Sequence, residues 1–232
     1  MSSKIESLWR QAMKTFAGHR GSGFKLCQKN LEKLRLLMNE ITSDDVKVDK
    51  KVLEYVENQR APMCVIDIFE NQDITIAIFL LKHGVTLPMH DHPGMHGLLK
   101  VINGTVKIDS VTTQIPQGRV IQLDEELTAL RHASQIVQAN DPACVLTPHD
   151  HNFHEISCLK GPAAFLDILS PPYDVDLDER QRSIRPCTFF RQIAQEQTNG
   201  PEGAPVKVRL LAVVQPPLFY STNLKYLGPP LR

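Results

Sequence analysis

Nine histidines stand at positions 19, 83, 90, 92, 96, 132, 149, 151 and 154, and most of them fall into two clusters. His90 and His92 are spaced i, i+2. In an extended strand that spacing puts both imidazoles on one face, whereas in a helix it points them to opposite sides. Two imidazoles from one strand occupy adjacent positions around a metal ion, and the remaining ligands must come from another part of the sheet. The cluster His149, His151 and His154 can supply one, and spacing alone leaves all three open. Nine histidines among 232 residues produce about 0.35 such i, i+2 pairs by chance, so the pair by itself is a weak signal. The competing reading is a surface loop whose histidines are solvated or bonded to backbone carbonyls.

The elements that would position these residues are short. From about Cys64 the chain runs through segments rich in Val, Ile, Leu and Phe: Val65–Phe69, Ile74–Lys82, Leu98–Ile102, Thr105–Val111, Val120–Leu123, Cys144–Thr147, Ile156–Leu159, Ala163–Leu169 and Val206–Val214. Many short strands separated by Gly, Pro and Asn predict a mainly β sandwich or barrel. Asn103-Gly104 predicts a hairpin turn between Leu98–Ile102 and Thr105–Val111, because both central residues of a type I′ turn need positive φ. The segments 174–185 and 195–205 are charged or rich in Gly and Pro and read as surface loops. Before the strands, Ile5, Leu8, Trp9, Ala12, Met13 and Phe16 recur at helical spacing, as do Leu26, Leu31, Leu34, Leu37, Met38 and Ile41. Residues 1–45 are thus expected to form an N-terminal helical arm packed on a barrel domain spanning 60–232.

Composition narrows the function classes. Lys and Arg number 26, equal to Asp and Glu at 26, so the chain lacks the uncompensated basic charge that phosphate binding draws on, and nucleic acid is not an expected partner. The longest apolar run, Ile74 to Leu81, is strand-sized and far short of a membrane span. Five cysteines, odd in number and without a CxxC pair, indicate neither a disulfide framework nor a zinc knuckle. A reducing, cytoplasmic setting is the natural expectation. The residues from Ile5 to Arg20, basic with Glu6 as their one acid, also carry the balance of a mitochondrial transit peptide, a less favoured alternative.

The residues flanking the histidine pair are more specific. Gly84-Val85-Thr86-Leu87-Pro88-Met89-His90-Asp91-His92-Pro93-Gly94-Met95-His96-Gly97, followed by Gly104, resembles the first metal-binding motif of the cupin superfamily. In most cupins a glutamate ligand follows the second histidine after three or four intervening residues; here those positions hold His96 and Gly97. Together with Thr147-Pro148-His149, Phe153-His154 and the run from Gly161 to Asp174 that contains Leu166-Asp167-Ile168-Leu169-Ser170-Pro171-Pro172-Tyr173, the motif resembles the 2-aminoethanethiol (cysteamine) dioxygenase and plant cysteine oxidase family of thiol dioxygenases. The resemblance covers most of the chain, including the Pro-rich tail from Pro216 to Pro230.

That resemblance implies a cupin-type double-stranded β-helix, or jelly-roll, barrel whose metal is Fe(II) held by His90, His92 and His154, so that His149 and His151 do not ligate it. It implies addition of both atoms of O2 to the sulfur of cysteamine, of an N-terminal cysteine in a peptide, or of both, giving a sulfinate. With peptide substrates it further implies oxygen-dependent marking of proteins for the N-degron pathway. Three neutral imidazoles leave the ion its full charge, which favours a thiolate ligand. Asp167 lies in an apolar strand where an unpaired charge is costly; it is read as an acceptor that orients an imidazole or the substrate amine, against a structural ion pair elsewhere. Tyr173 either donates its hydroxyl near the site or closes a turn. Some animal members form a thioether between a cysteine and a tyrosine two residues on; here the segment is Cys187-Thr188-Phe189, so no such crosslink is expected and Cys187 reads as a plain buried thiol. His83, His96 and His132 read as satisfied or solvated, although His96 is near enough in sequence to line the site. The working unit is expected to be a monomer. Alternatives are a cupin oxygenase of a carbon substrate and a metal-binding cupin that serves as a regulatory module without turnover.

Overall fold

Apolar stripes organise the N-terminal region into three helices in the computed structural model, which describes residues 2–20, 23–116, 119–174, 185–196 and 204–232. α1 (Lys4–Phe16) begins where the Ser3 hydroxyl accepts a hydrogen bond from the Glu6 amide at 3.2 Å, and its Ile5, Leu8, Ala12 and Phe16 are fully buried. α2 (Gln28–Asn39) adds Leu34 and Met38 to the same core. α3 (Lys50–Asn58), capped by the Asp49 carboxylate on the Val52 amide at 3.0 Å, has no counterpart in the sequence reading. It is only nine residues long, and Val56 is its single buried side chain. The helical stripes share one apolar cluster with Ile66, Ile76, Ile78, Leu98 and Leu166, so the helices cover an outer face of the sheet.

Among the described residues eleven strands follow: β1 (Met63–Glu70), β2 (Thr75–Leu81), β3 (Thr86–Asp91), β4 (His96–Thr112), β5 (Glu126–Arg131), β6 (Gln135–Gln138), β7 (Cys144–Leu146), β8 (Phe153–Ser170), β9 (Phe189–Gln195), β10 (Val206–Val213) and β11 (Ser221–Leu224). Six close into a ring, β4-β8-β3-β9-β10-β5 and back to β4, every neighbour antiparallel. Closure removes the free edges that an open sheet would expose. β2 joins the far half of β8, and β1 and β11 extend that wall outward. The fold is the mainly β barrel expected from the strand pattern, in the double-stranded arrangement that the family resemblance implies. The loops expected over 174–185 and 195–205 lie mostly outside the described residues.

Two sequence expectations are corrected. Asn103-Gly104 does not turn a hairpin: Leu98–Ile102 and Thr105–Val111 are two halves of one strand, β4, which pairs with β8 from His96 opposite Ser170 to Val111 opposite Phe153. Gly104, at φ 77°, serves a bulge instead, and the register slips on both sides of Asn103. The Asn103 amide donates to the Pro162 carbonyl at 2.8 Å, so the irregular stretches of β4 and β8 face each other and both strands pass from one wall of the barrel to the other. Val120–Leu123, expected as a strand, is irregular and leads into a turn at Leu123-Asp124. Only Ile121 is buried, Leu123 is 58% exposed, and the Glu125 carboxylate accepts from the Gln122 amide at 3.0 Å.

Candidate metal centre

One rung of the barrel carries the centre. In register, His90 on β3 stands opposite His154 on β8, and His154 stands opposite Ser110 on β4, so all three side chains share the inner face. His92 lies just past β3, where its amide donates to the Asn152 carbonyl at 2.9 Å and its carbonyl accepts from the Met95 amide at 3.2 Å. Gly94, at φ 68°, supplies the positive φ of that turn. Asn152, itself buried, fixes the approach to β8 by donating to the carbonyls of Thr113 and Pro148 and accepting from the Thr113 amide.

His90, His92 and His154 are all buried, with ring centroids 4.9 Å apart for the first two and 4.7 Å from each to His154. Nε2 of His92 and Nε2 of His154 are 3.1 Å apart, and ligand atoms of all three rings lie within 4.8 Å of one another. Burial pushes His90 down to about 4, and it drives His92 and His154 well below the ordinary imidazole range, with their neighbouring imidazoles adding to the effect. Neutral rings keep a lone pair available. His90 Nδ1 sits 2.8 Å from the Pro88 carbonyl, which accepts only from a protonated nitrogen, so Nε2 of that ring is the free donor. Three uncharged, buried nitrogens that converge fit a divalent transition metal.

The spacing argument supplied two of these residues and left the third open among three; the structure brings in His154. His149 is exposed, and His151 faces Ser110 at 2.7 Å through Nδ1. His96 packs against His19 at 5.2 Å between ring centroids, with its Nδ1 buried and unpartnered, and His83 is exposed. His132 is partly buried beside Thr112, at 2.7 Å from its hydroxyl.

Tyr173 reaches the centre. Its hydroxyl donates to the Asp91 carbonyl at 2.5 Å and lies 2.9 Å from His92 Nδ1, which leaves the ring nitrogen as donor to the phenol oxygen. Burial, then the nearby Cys187 and Asp91, push the phenol well above its ordinary range. Cys187 is exposed as a residue, but its thiol is turned inward beside Tyr173, and burial pushes it up to about 12. Phe189 pairs in register with His90, its ring 6.2 Å from that imidazole.

Asp167 is buried on β8, opposite Ala77 on β2 and Leu99 on β4. Among the described residues no side chain bonds its carboxyl; the Ile168 amide donates to it, and burial pushes it up to about 7. The imidazole-orienting contact considered from the sequence is therefore not formed, while its charge is near enough to act on Tyr173.

Asp91 escaped the sequence reading. As the residue between two inward histidines it should face outward and be solvated, but the segment just before β9 covers it: its carboxylate accepts from the Thr188 amide at 2.8 Å, and burial raises it to about 7. Only the three-dimensional return of the chain at Thr188 reveals this. A cavity of about 520 Å³ meets His154 but neither His90 nor His92, and is lined also by His151, Ser110, Leu99 and residues of β6 and β7.

Comparison with known proteins agrees with this geometry. Residues 37–231 match the PCO_ADO family model. The chain is 31% identical over 271 residues to 2-aminoethanethiol dioxygenase of Homo sapiens, covering 99% of this chain and 97% of that protein. To the Mus musculus protein of the same name it is 34% identical over 257 residues, with 99% and 96% covered. To plant cysteine oxidase 2 of Arabidopsis thaliana it is 27% identical over 189 residues, with 80% and 65% covered. A barrel with a buried cluster of neutral histidines and a family match over most of its length establish that the chain belongs to the PCO_ADO family of thiol dioxygenases.

Proposed function

We propose that the protein is a cytoplasmic, monomeric, Fe(II)-dependent enzyme that adds both atoms of O2 to the sulfur of cysteamine, of an N-terminal cysteine in peptides, or of both. The reaction is R–S⁻ + O2 → R–SO2⁻, in which dioxygen takes the four electrons that sulfur loses. The convergence of His90, His92 and His154, all buried and uncharged, carries this reading. Iron bound there supplies a positively charged centre for a thiolate and for dioxygen, which no side chain offers.

The chain's own residues do the rest. The Pro88 carbonyl and the Tyr173 hydroxyl hold His90 and His92 in the tautomers that present Nε2 inward. Asp167, buried with a backbone amide as its donor, is suited to receive the ammonium of an aminothiol, whose charge would draw the carboxyl into its ionised form. The cavity of about 520 Å³ beside His154 is far larger than a small aminothiol needs, which favours peptides bearing N-terminal cysteine and a role in oxygen-dependent N-degron marking. Phe189 has no phenol, so the chemistry proceeds without a crosslink at that position.

The test is anaerobic reconstitution with Fe(II), then O2 uptake and product mass with cysteamine and with a short Cys-initiated peptide. A gain of two oxygens that vanishes in His154→Ala is expected. No oxygen uptake by the iron-loaded wild type on either thiol overturns the proposal.

A further inference from the structure

Besides the triad, the described residues hold one other place where three histidine and carboxylate groups converge. His132 follows β5, and Asp150 and His151 belong to the turn before β8. His132 Nε2 lies 3.8 Å from Asp150 Oδ1, and His151 Nε2 lies 3.8 Å from Asp150 Oδ2. The two rings face each other with centroids 4.0 Å apart and planes 33° from parallel. Two protonated imidazoles at that separation would repel, so the pair needs either neutrality or a cation shared between them.

His151 is held for this arrangement. Its φ of 53° is a left-handed conformation that residues with a β-carbon seldom adopt. The Thr112 hydroxyl accepts from its amide at 2.9 Å, and Ser110 Oγ engages its Nδ1 at 2.7 Å, which leaves Nε2 aimed at Asp150. Strained residues of this kind recur at ligand clamps. Thr112 also donates to Asp150 Oδ1 at 3.0 Å, so a single hydroxyl ties the carboxylate to the histidine backbone.

We propose that His132, Asp150 and His151 form a second metal site, separate from the triad, that takes a zinc-class divalent cation with water in the fourth position. Two imidazole nitrogens and one carboxylate oxygen are a ligand set that Zn²⁺ accepts in tetrahedral sites with one place open. Zinc–nitrogen bonds of about 2.0–2.1 Å put tetrahedral ligands roughly 3.4 Å apart. The present 3.8 Å separations run to different oxygens of Asp150, so ligation by one oxygen takes a rotation of that exposed side chain and a splaying of the two stacked rings. Ser110 supplies the outer hydrogen bond that orients a metal-bound imidazole. The cation displaces the contact between His132 and the Thr112 hydroxyl, while Thr112 keeps its bonds to Asp150 and to the His151 amide. An ion there pins the end of β5 to the turn that delivers His154, and it acts as a structural staple.

The test is equilibrium dialysis of the full chain against micromolar free Zn²⁺, read as metal per protein. The wild type is expected to hold two ions, and His154→Ala, His132→Ala and Asp150→Asn one each. Combining His154→Ala with His132→Ala, or with the milder Asp150→Asn, is expected to leave none. Loading the His154→Ala protein with Co²⁺ should give the visible absorption of a tetrahedral nitrogen–oxygen site. A His154→Ala protein that binds no zinc, or one that keeps its zinc when Asp150→Asn is added, overturns the proposal.

Discussion

The phenol oxygen of Tyr173 stands 2.9 Å from Nδ1 of His92 while its proton goes to the Asp91 carbonyl at 2.5 Å. A residue beyond the end of β8 thereby sets the tautomer of a histidine carried by the end of β3. With its proton on the Asp91 carbonyl, the hydroxyl engages the imidazole as acceptor.

Tyr173→Phe should weaken metal binding by about 10- to 100-fold, the usual cost of losing an outer hydrogen bond to a ligating histidine. Competition against a chelator of known affinity measures it. Unchanged affinity would show that His92 needs no external partner.

Asp167→Asn should raise KM for cysteamine by about tenfold or more, as loss of one charge-assisted contact would. Turnover of a thiol without an amine should change little. The same substitution should flatten the pH dependence of stability. Burial raises the carboxyl to about 7 in the folded chain, so its contribution is fully present below the unfolded value and is lost as pH rises through about 7. Relative to the variant, the metal-free wild type should lose about 3 kcal/mol between pH 5 and 8, read from urea midpoints. Parallel curves for the two proteins would place the Asp167 proton elsewhere.

Gly104→Ala should destabilise the fold by about 2–4 kcal/mol. At φ 77° a β-carbon is strained, and it would meet the Lys160 carbonyl oxygen and approach the Ala163 α-carbon at 2.9 Å. Chemical denaturation is the measurement; a cost under about 0.5 kcal/mol, the range of an ordinary surface change, would contradict the bulge geometry.

Leu8→Ala should cost about 2–5 kcal/mol, since Leu8 is fully buried in the cluster that α1 shares with the strands. Its loss should lower the midpoint of one common unfolding transition. A separate early transition for the helices would show that residues 1–45 dock as an independent arm.

What could be read from the sequence follows from how local each signal is. Runs rich in apolar residues such as Val65–Phe69 and Val206–Val214 lie within β1 and almost within β10 because the demand for burial is written in the residues themselves. The i, i+2 spacing of His90 and His92 is equally local. Asn103-Gly104 misled because a positive φ satisfies a bulge as readily as a turn, and the choice depends on β8, some 60 residues on. α3 was missed because a nine-residue helix with one buried side chain leaves little periodicity to detect. The inward face of His154, the cover over Asp91 and the reach of Tyr173 depend on strand pairing or chain return, which no local window contains.

His90 and His154 face each other across the β3–β8 ladder. Side chains alternate along a strand, so a slip of one residue between these two would turn an imidazole out of the barrel and leave the pocket one ligand short. Metal uptake therefore proofreads the pairing. A chain that has assembled these strands out of step is told apart from a correct one by failing to retain its ion, and the ion, once bound, rewards the one alignment in which both rings look inward.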